Sequence, residues 1–304
     1  MTPPDARRTL RPPTGYRLAA SVRALTFSPY DPCARIAAGS FWWATRTPDG
    51  PATLALRPEA GELVAEGYGP GASWVVEHAD GVAGLRDDLT GFAALAAAHP
   101  LVARLAQAHH GLRMPATGQV FPRLLRAVFE QKVTGKEAYR AYAATVRHFR
   151  EPAPGPLQPL LLPPAPAAVA ATPYWVFHPF GVEQRRADTL RRAAAVADRL
   201  ERCADAAEAT RRLTAIPGIG AWTAAEVVRI AYGDPDAVSV GDYHVPNTVA
   251  WALAGEPRGD DARMLALLKP FAGHRGRVCV LLEAAGIQAP RYGPRAPIRS
   301  FARY

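Results

Sequence analysis

The sequence predicts an α+β chain in which a β-rich N-terminal part precedes an all-helical part. Three observations carry that expectation. Short, partly alternating apolar runs fill the first 90 residues. After Leu89 the apolar residues switch to helical spacing. The 304-residue length suits two domains of roughly 150 residues each.

Thr53–Arg57, Glu62–Ala65 and Ser73–Glu77 read as strands, separated by the turn signals Pro48-Asp49-Gly50 and Gly67-Tyr68-Gly69-Pro70. They set a β-rich domain at 1–97. Phe121, Leu124, Leu125, Val128 and Phe129 then recur at helical spacing, and a second helix is expected from Gly135 to Phe149. Seven prolines between Pro152 and Pro166 exclude a regular element, so 151–168 reads as a connector with polyproline character. An arginine-striped helix is expected over 183–203, and shorter ones over 205–216, 221–232, 245–254, 260–268 and 274–285. The helical domain is thus 98–288. A tail, 289–304, interleaves Arg291, Arg295, Arg299 and Arg303 with Tyr292, Phe301 and Tyr304.

Composition narrows the class. At 49% apolar and 21% charged residues, the chain can bury a full core and is not a disordered protein. No apolar run of about 18 residues exists to span a membrane. Residues 1–11 lack the apolar stretch of a secretory signal. Cys33, Cys203 and Cys279 lie too far apart in sequence for a disulfide framework or a Cys-x-x-Cys metal site. A reducing, cytoplasmic setting is expected, with no metal among the site residues.

Net charge is +9, from 36 basic and 27 acidic residues. Residues 1–100 hold 9 basic and 10 acidic side chains, whereas 101–304 hold 27 and 17. A genomic arginine bias would load both halves, so the excess reads as polyanion-binding charge on the helical half.

One segment concentrates the chemistry: Leu213-Thr-Ala-Ile-Pro-Gly-Ile-Gly-Ala-Trp-Thr-Ala-Ala-Glu-Val-Val-Arg-Ile-Ala-Tyr232. An apolar helix end meets Pro217-Gly218-Ile219-Gly220, and a new helix starts at once at Ala221. The two glycines permit backbone conformations closed to other residues and a close approach. Free N–H groups at the positive end of the second helix would accept a DNA phosphate, with Ile216 and Ile219 plugged into the core beneath. An αα-corner whose glycines serve only packing is the plainer reading. Twenty-two residues past Gly220 stands Asp242, in Val238-Ser-Val-Gly-Asp-Tyr-His-Val-Pro-Asn247. Its plainer role is an N-cap, and the two roles are compatible.

The block Leu213–Asn247 resembles the helix–hairpin–helix DNA glycosylase superfamily, with its Gly/Pro-rich hairpin followed about twenty residues on by an aspartate. Gly111-Leu-Arg-Met-Pro115 and Phe129-Glu-Gln131-Lys-Val133-Thr134 are similar to the entry segment of the bacterial 3-methyladenine DNA glycosylase II branch, which also carries a β-rich domain before its helices. The resemblance implies double-stranded DNA bearing damaged bases as partner, and a monomer associated with the nucleoid. It implies excision of an alkylated base after flipping, with Asp242 stabilising the developing sugar cation and assisting water. The hairpin Pro217, Gly218, Ile219, Gly220, Ala221 and Thr223, with Lys132, Thr134 and His244, would contact DNA. Trp222, Tyr243 and Gln131 would line the base pocket, with Glu226 and Glu283 standing where the branch carries aromatics. Those two glutamates face either the pocket or solvent. Trp222 also occupies the position of the Schiff-base lysine of bifunctional relatives, which implies no lyase activity. Lys132 stands where the branch places an apolar wedge. No cofactor is implied, and a structural cation on the hairpin carbonyls is left open.

Overall fold

A computed structural model describes residues 3–290 of the chain. The arginine/aromatic tail falls, from residue 291, outside the described residues. Five strands, β1 (Ala6–Leu10), β2 (Ala34–Ala37), β3 (Ser40–Thr47), β4 (Gly50–Glu59) and β5 (Glu62–Tyr68), form one antiparallel sheet in the order β1-β5-β4-β3-β2. The run Phe41-Trp42-Trp43 on β3 is continuous rather than alternating because both faces of this sheet are covered. Phe41 and Trp43, paired with Leu56 and Leu54 of β4, point into a core with Val22, Leu25, Val75 and Val82. Trp42, paired with Ala55, points the other way, onto Tyr68, Ala153, Leu160 and Leu162.

The last three of those residues belong to the proline-rich segment. It is therefore more than a connector: it forms the second layer over the sheet. Its ends are tied down, since Arg46 of β3 pairs with Glu151 and donates from Nε to the Pro163 carbonyl at 2.7 Å.

Ser73–Glu77, expected as a strand, lies instead in a helix, α1 (Ala72–Glu77). Ala72, Val75 and Val76 are buried at i, i+3 and i+4, so packing against the sheet overrides the β preference of its valines. The helical part comprises α2 (Phe92–Ala96), α3 (Pro100–Ala108), α4 (Phe121–Glu130), α5 (Gly135–Phe149), α6 (Gln184–Ala195), α7 (Ala206–Thr214), α8 (Ala221–Ala231), α9 (Val245–Ala254), α10 (Asp261–Leu268) and α11 (Arg275–Ala284), with shorter turns between them. The arginine-striped helix expected over 183–203 breaks at Val196, whose φ of −117° and ψ of 11° leave the helical region. The break lets Ala197 and Leu200 reach the same core as Leu190 and Ala193.

The helices build two cores. One joins α4 through α8, with Leu124, Val128, Phe129, Leu190, Leu213, Ile219 and Val227 buried together. The other joins α2 and α3 to α9, α10 and α11 through Phe92, Val102, Val249, Met264, Phe271 and Leu281. Thus α2, on the N-terminal side of residue 97, packs with the C-terminal helices. Helix α8 is common ground: it starts at the hairpin, and Ile230 near its end sits in the sheet core. Thr117 and Gly118 donate their N–H groups to the Ile230 and Ala231 carbonyls, both at 2.9 Å.

An ionic contact also ties the front of the chain to the C-terminal helices. Asp87 accepts two bonds from Arg277 of α11, at 2.5 and 2.9 Å, plus the Met114 N–H at 2.9 Å. Both side chains are only 2% exposed. Removing one partner strands the other charge in the interior, which typically costs about 3–5 kcal/mol. Asp87→Ala or Arg277→Ala should therefore lower the unfolding free energy by about that amount, measured by urea denaturation. An unchanged midpoint would contradict the clamp.

Candidate active site

The hairpin lies between α7 and α8. Ile216 and Ile219 are buried in the first helical core, as expected, and fix the turn from below. Gly218 has a φ of +97°, and a Cβ there would lie 2.1 Å from Thr189 Oγ1 on α6. Both conformation and space demand glycine. Gly220 differs, for a Cβ added to it would meet no atom within 4 Å. It is the N-cap of α8, no side chain caps the helix there, and the surface above it is open. The unpaired N–H groups of this first turn carry the partial positive charge of the helix end.

Asp242 lies in the loop between α8 and α9, half-buried, and its carboxylate is held from two sides. Trp222 Nε1, in the first turn of α8, donates to Oδ2 at 2.9 Å. The His244 and Val245 N–H groups donate to Oδ1 at 2.7 and 2.9 Å, so Asp242 ties down the start of α9, although the N-cap position itself is His244 and not Asp242. The carboxylate therefore bridges the starts of two helices that belong to different cores. A carboxylate offers about four lone-pair sites; three are taken, and the orientation of the group is fixed.

Gln131 joins this arrangement. From the end of α4 its Nε2 donates to the Gly218 carbonyl at 3.0 Å and to Thr223 Oγ1 at 2.9 Å. Arg192 donates to the neighbouring Pro217 carbonyl at 3.2 Å. These two hairpin carbonyls thus each accept a side-chain donor, one of them a guanidinium. Lys132, next to Gln131, is exposed and holds a left-handed φ of +54°, which turns it out from the corner between α4 and α5. Tyr243 is 81% exposed beside Asp242 and packs edge-on against the exposed His244. Ala221 is exposed at the start of α8.

Several side chains have other employment than expected. The Thr223 hydroxyl is buried under the hairpin and accepts from Gln131 Nε2. Thr134 is the N-cap of α5, forming a reciprocal capping box with Glu137. Glu226 is neither a pocket wall nor a surface residue. It is largely covered between Arg123 of α4 and Arg229, bonded at 2.5 and 2.7 Å, and also accepts the Ser239 hydroxyl. Burial alone would push its carboxyl up. Arg229, Arg123 and the Ser239 hydroxyl outweigh that and hold it down at about 2. Glu283, on the last turn of α11, is exposed, within electrostatic reach of Arg229. Arg186 of the arginine-striped helix is buried and bonded to Glu183 and to the Phe129 and Gly181 carbonyls.

Sequence reasoning overlooked Arg123, Arg229 and Ser239. The available signal was charge set inside largely apolar helical runs, Arg123 and Arg126 in α4 and Glu226 with Arg229 in α8. Charges at such positions pair across helices. The hairpin geometry makes its own test. Gly218→Ala should unfold several degrees below wild type in thermal melts, whereas Gly220→Ala should melt close to it. Equal melting of the two variants would contradict the tight approach at Thr189.

Comparison with solved structures places the whole architecture. The chain is similar to the 3-methyladenine DNA glycosylase of Archaeoglobus fulgidus, with a TM-score of 0.75 and 17% identity over 91% of this chain and 97% of that one. It is also similar to the Clostridium acetobutylicum 8-oxoguanine glycosylase/lyase solved with double-stranded DNA, with a TM-score of 0.68 and 12% identity over 94% and 98%. The Schizosaccharomyces pombe 3-methyladenine DNA glycosylase solved with abasic DNA gives 0.53 at 18% identity over 65% and 97%. No family model and no curated protein matches the chain. The chain has the fold of the helix–hairpin–helix DNA glycosylases, the superfamily that its hairpin and Asp242 resemble.

Proposed function

We propose that the protein is a monofunctional DNA glycosylase that excises alkylated bases of the 3-methyladenine kind. The observation that carries this reading is the Asp242 carboxylate, fixed by Trp222 and by the start of α9 next to the open N-terminus of α8.

In this reading a backbone phosphate docks on the N–H groups at Gly220 and Ala221, and the damaged nucleotide turns out of the stack, which costs a few kcal/mol. Alkylation makes a purine cationic, so it departs with the electron pair of the C1′–N bond and needs no general acid. Positive charge builds on the sugar as that bond lengthens, and the Asp242 carboxylate stabilises it. Water then adds to C1′ and gives up a proton to the carboxylate. Since the three N–H bonds already fix the group, little reorganisation is needed as the charge develops. The Trp222 ring stands beside the carboxylate, where stacking and cation–π attraction would favour a cationic base. Lys132, turned outward on its left-handed corner, would enter the gap left by the flipped nucleotide.

A competing reading, excision of an oxidised or deaminated base, draws on one observation. One helical turn past Trp222 stands Glu226, its carboxylate committed to arginines, where an aromatic would extend a cage.

Two outcomes are expected. Asp242→Asn should lose at least 10²-fold in single-turnover excision of 3-methyladenine, the size typical of removing an electrostatic stabiliser, while binding abasic duplex nearly as wild type does. Retained excision would remove Asp242 from its role. Borohydride should trap no covalent protein–DNA adduct, because Trp222 occupies the position a Schiff-base lysine would need. A trapped adduct would contradict the monofunctional assignment.

A further inference from the structure

Four charged or polar side chains converge beneath the loop that carries Asp242, none of them touching its carboxylate. Glu226 Oε2 accepts from Arg123 Nη2 at 2.5 Å and from Arg229 Nη2 at 2.7 Å, and its Oε1 accepts the Ser239 hydroxyl at 2.5 Å. Arg123 Nε also donates to the Glu226 carbonyl at 3.0 Å, so the guanidinium grips backbone and side chain of one residue. Arg123 and Ser239 are buried, and Glu226 is 13% exposed at its side chain. The Ser239 carbonyl in turn accepts the Asp242 N–H at 3.2 Å, closing a tight turn with Asp242 at its end. A second anchor holds the residue before Asp242, for the Gly241 N–H points at the Asp261 carboxylate, at 3.0 and 3.1 Å.

The loop needs such anchors. It links two separate cores, and Val238 and Val240, its apolar residues, are only partly buried. Packing alone therefore leaves its position weakly defined, and hydrogen bonds must define it. The arrangement of charges suits that task better than it suits stability. A buried ion pair contributes little net stability compared with apolar residues of the same volume. Two arginines on Oε2, however, orient the carboxylate so that Oε1 faces Ser239 and nothing else.

We infer that Glu226 is a positioning residue: gripped by Arg123 and Arg229, it anchors Ser239 and, through the turn Ser239–Asp242, sets where the Asp242 carboxylate lies. This inference rests on the reading of Asp242 as the group that faces the sugar. Small displacements at such a centre are costly, with about 1 Å worth up to 10²-fold in rate.

The test removes one hydroxyl and leaves the buried ion pairs intact. Wild type, Ser239→Ala and Asp242→Asn are compared by single-turnover excision of 3-methyladenine, affinity for an abasic-site duplex, and thermal melting. Ser239→Ala should excise roughly 10- to 100-fold more slowly, with abasic-duplex affinity within about twofold of wild type and melting unchanged within a few degrees. Ser239→Ala at the wild-type rate beside an inactive Asp242→Asn overturns the positioning role and spares the reading of Asp242. An active Asp242→Asn overturns that reading itself. A Ser239→Ala variant that loses affinity and melting temperature in step with rate also overturns positioning, since it marks a merely structural bond.

Discussion

A single carboxylate joins the starts of two helices. Asp242 takes the Trp222 indole N–H from the first turn of α8 and two backbone N–H groups from the first turn of α9. Helices α8 and α9 belong to different apolar cores, and the hydrogen bonds on Asp242 cross from one to the other. In a low-dielectric setting such bonds are directional, so they fix the carboxylate's orientation as well as its place. The start of α8, the end of the loop at 236–242 and the indole meet at this one junction.

The rest of the chain steadies α8. At its start, Gly218 lets the turn press against Thr189, while Gln131 and Arg192 bind the hairpin carbonyls from α4 and α6. In its middle, Glu226 is locked by two arginines. At its end, Ile230 enters the sheet core and its carbonyl accepts the Thr117 N–H. The β-rich front is thereby a support for the helix that carries the hairpin and Trp222. Its near balance of charge accords with that role, since the basic excess falls on the helical half.

Much of this was legible in the sequence because the signals are local. Helical spacing from Phe121 to Phe129, the Gly218–Gly220 break, and Asp242 just before Pro246 each report a backbone requirement within a few residues. The hairpin isoleucines were legible for the same reason. What escaped depends on partners far along the chain. Ser73–Glu77 carries β-branched residues, and only the sheet beneath it makes a helix the better solution. The proline-rich segment shows no period, so nothing local says that Leu160 and Leu162 cover Trp42. Glu226 reads locally as an exposed or pocket-facing charge on an apolar helix, and its partner Arg123 lies 103 residues away. Thr134 and Thr223 were read by resemblance as DNA contacts, yet each hydroxyl is spent within the protein.

The central question is whether this junction performs chemistry on DNA. The most direct measurement incubates purified protein with duplexes that each carry one defined lesion, alkylated, deaminated or oxidised, and then cleaves abasic sites with alkali. The expected result is strand cleavage at the alkylated purine. Cleavage on no lesion at all would contradict the account and leave a DNA-binding protein in its place.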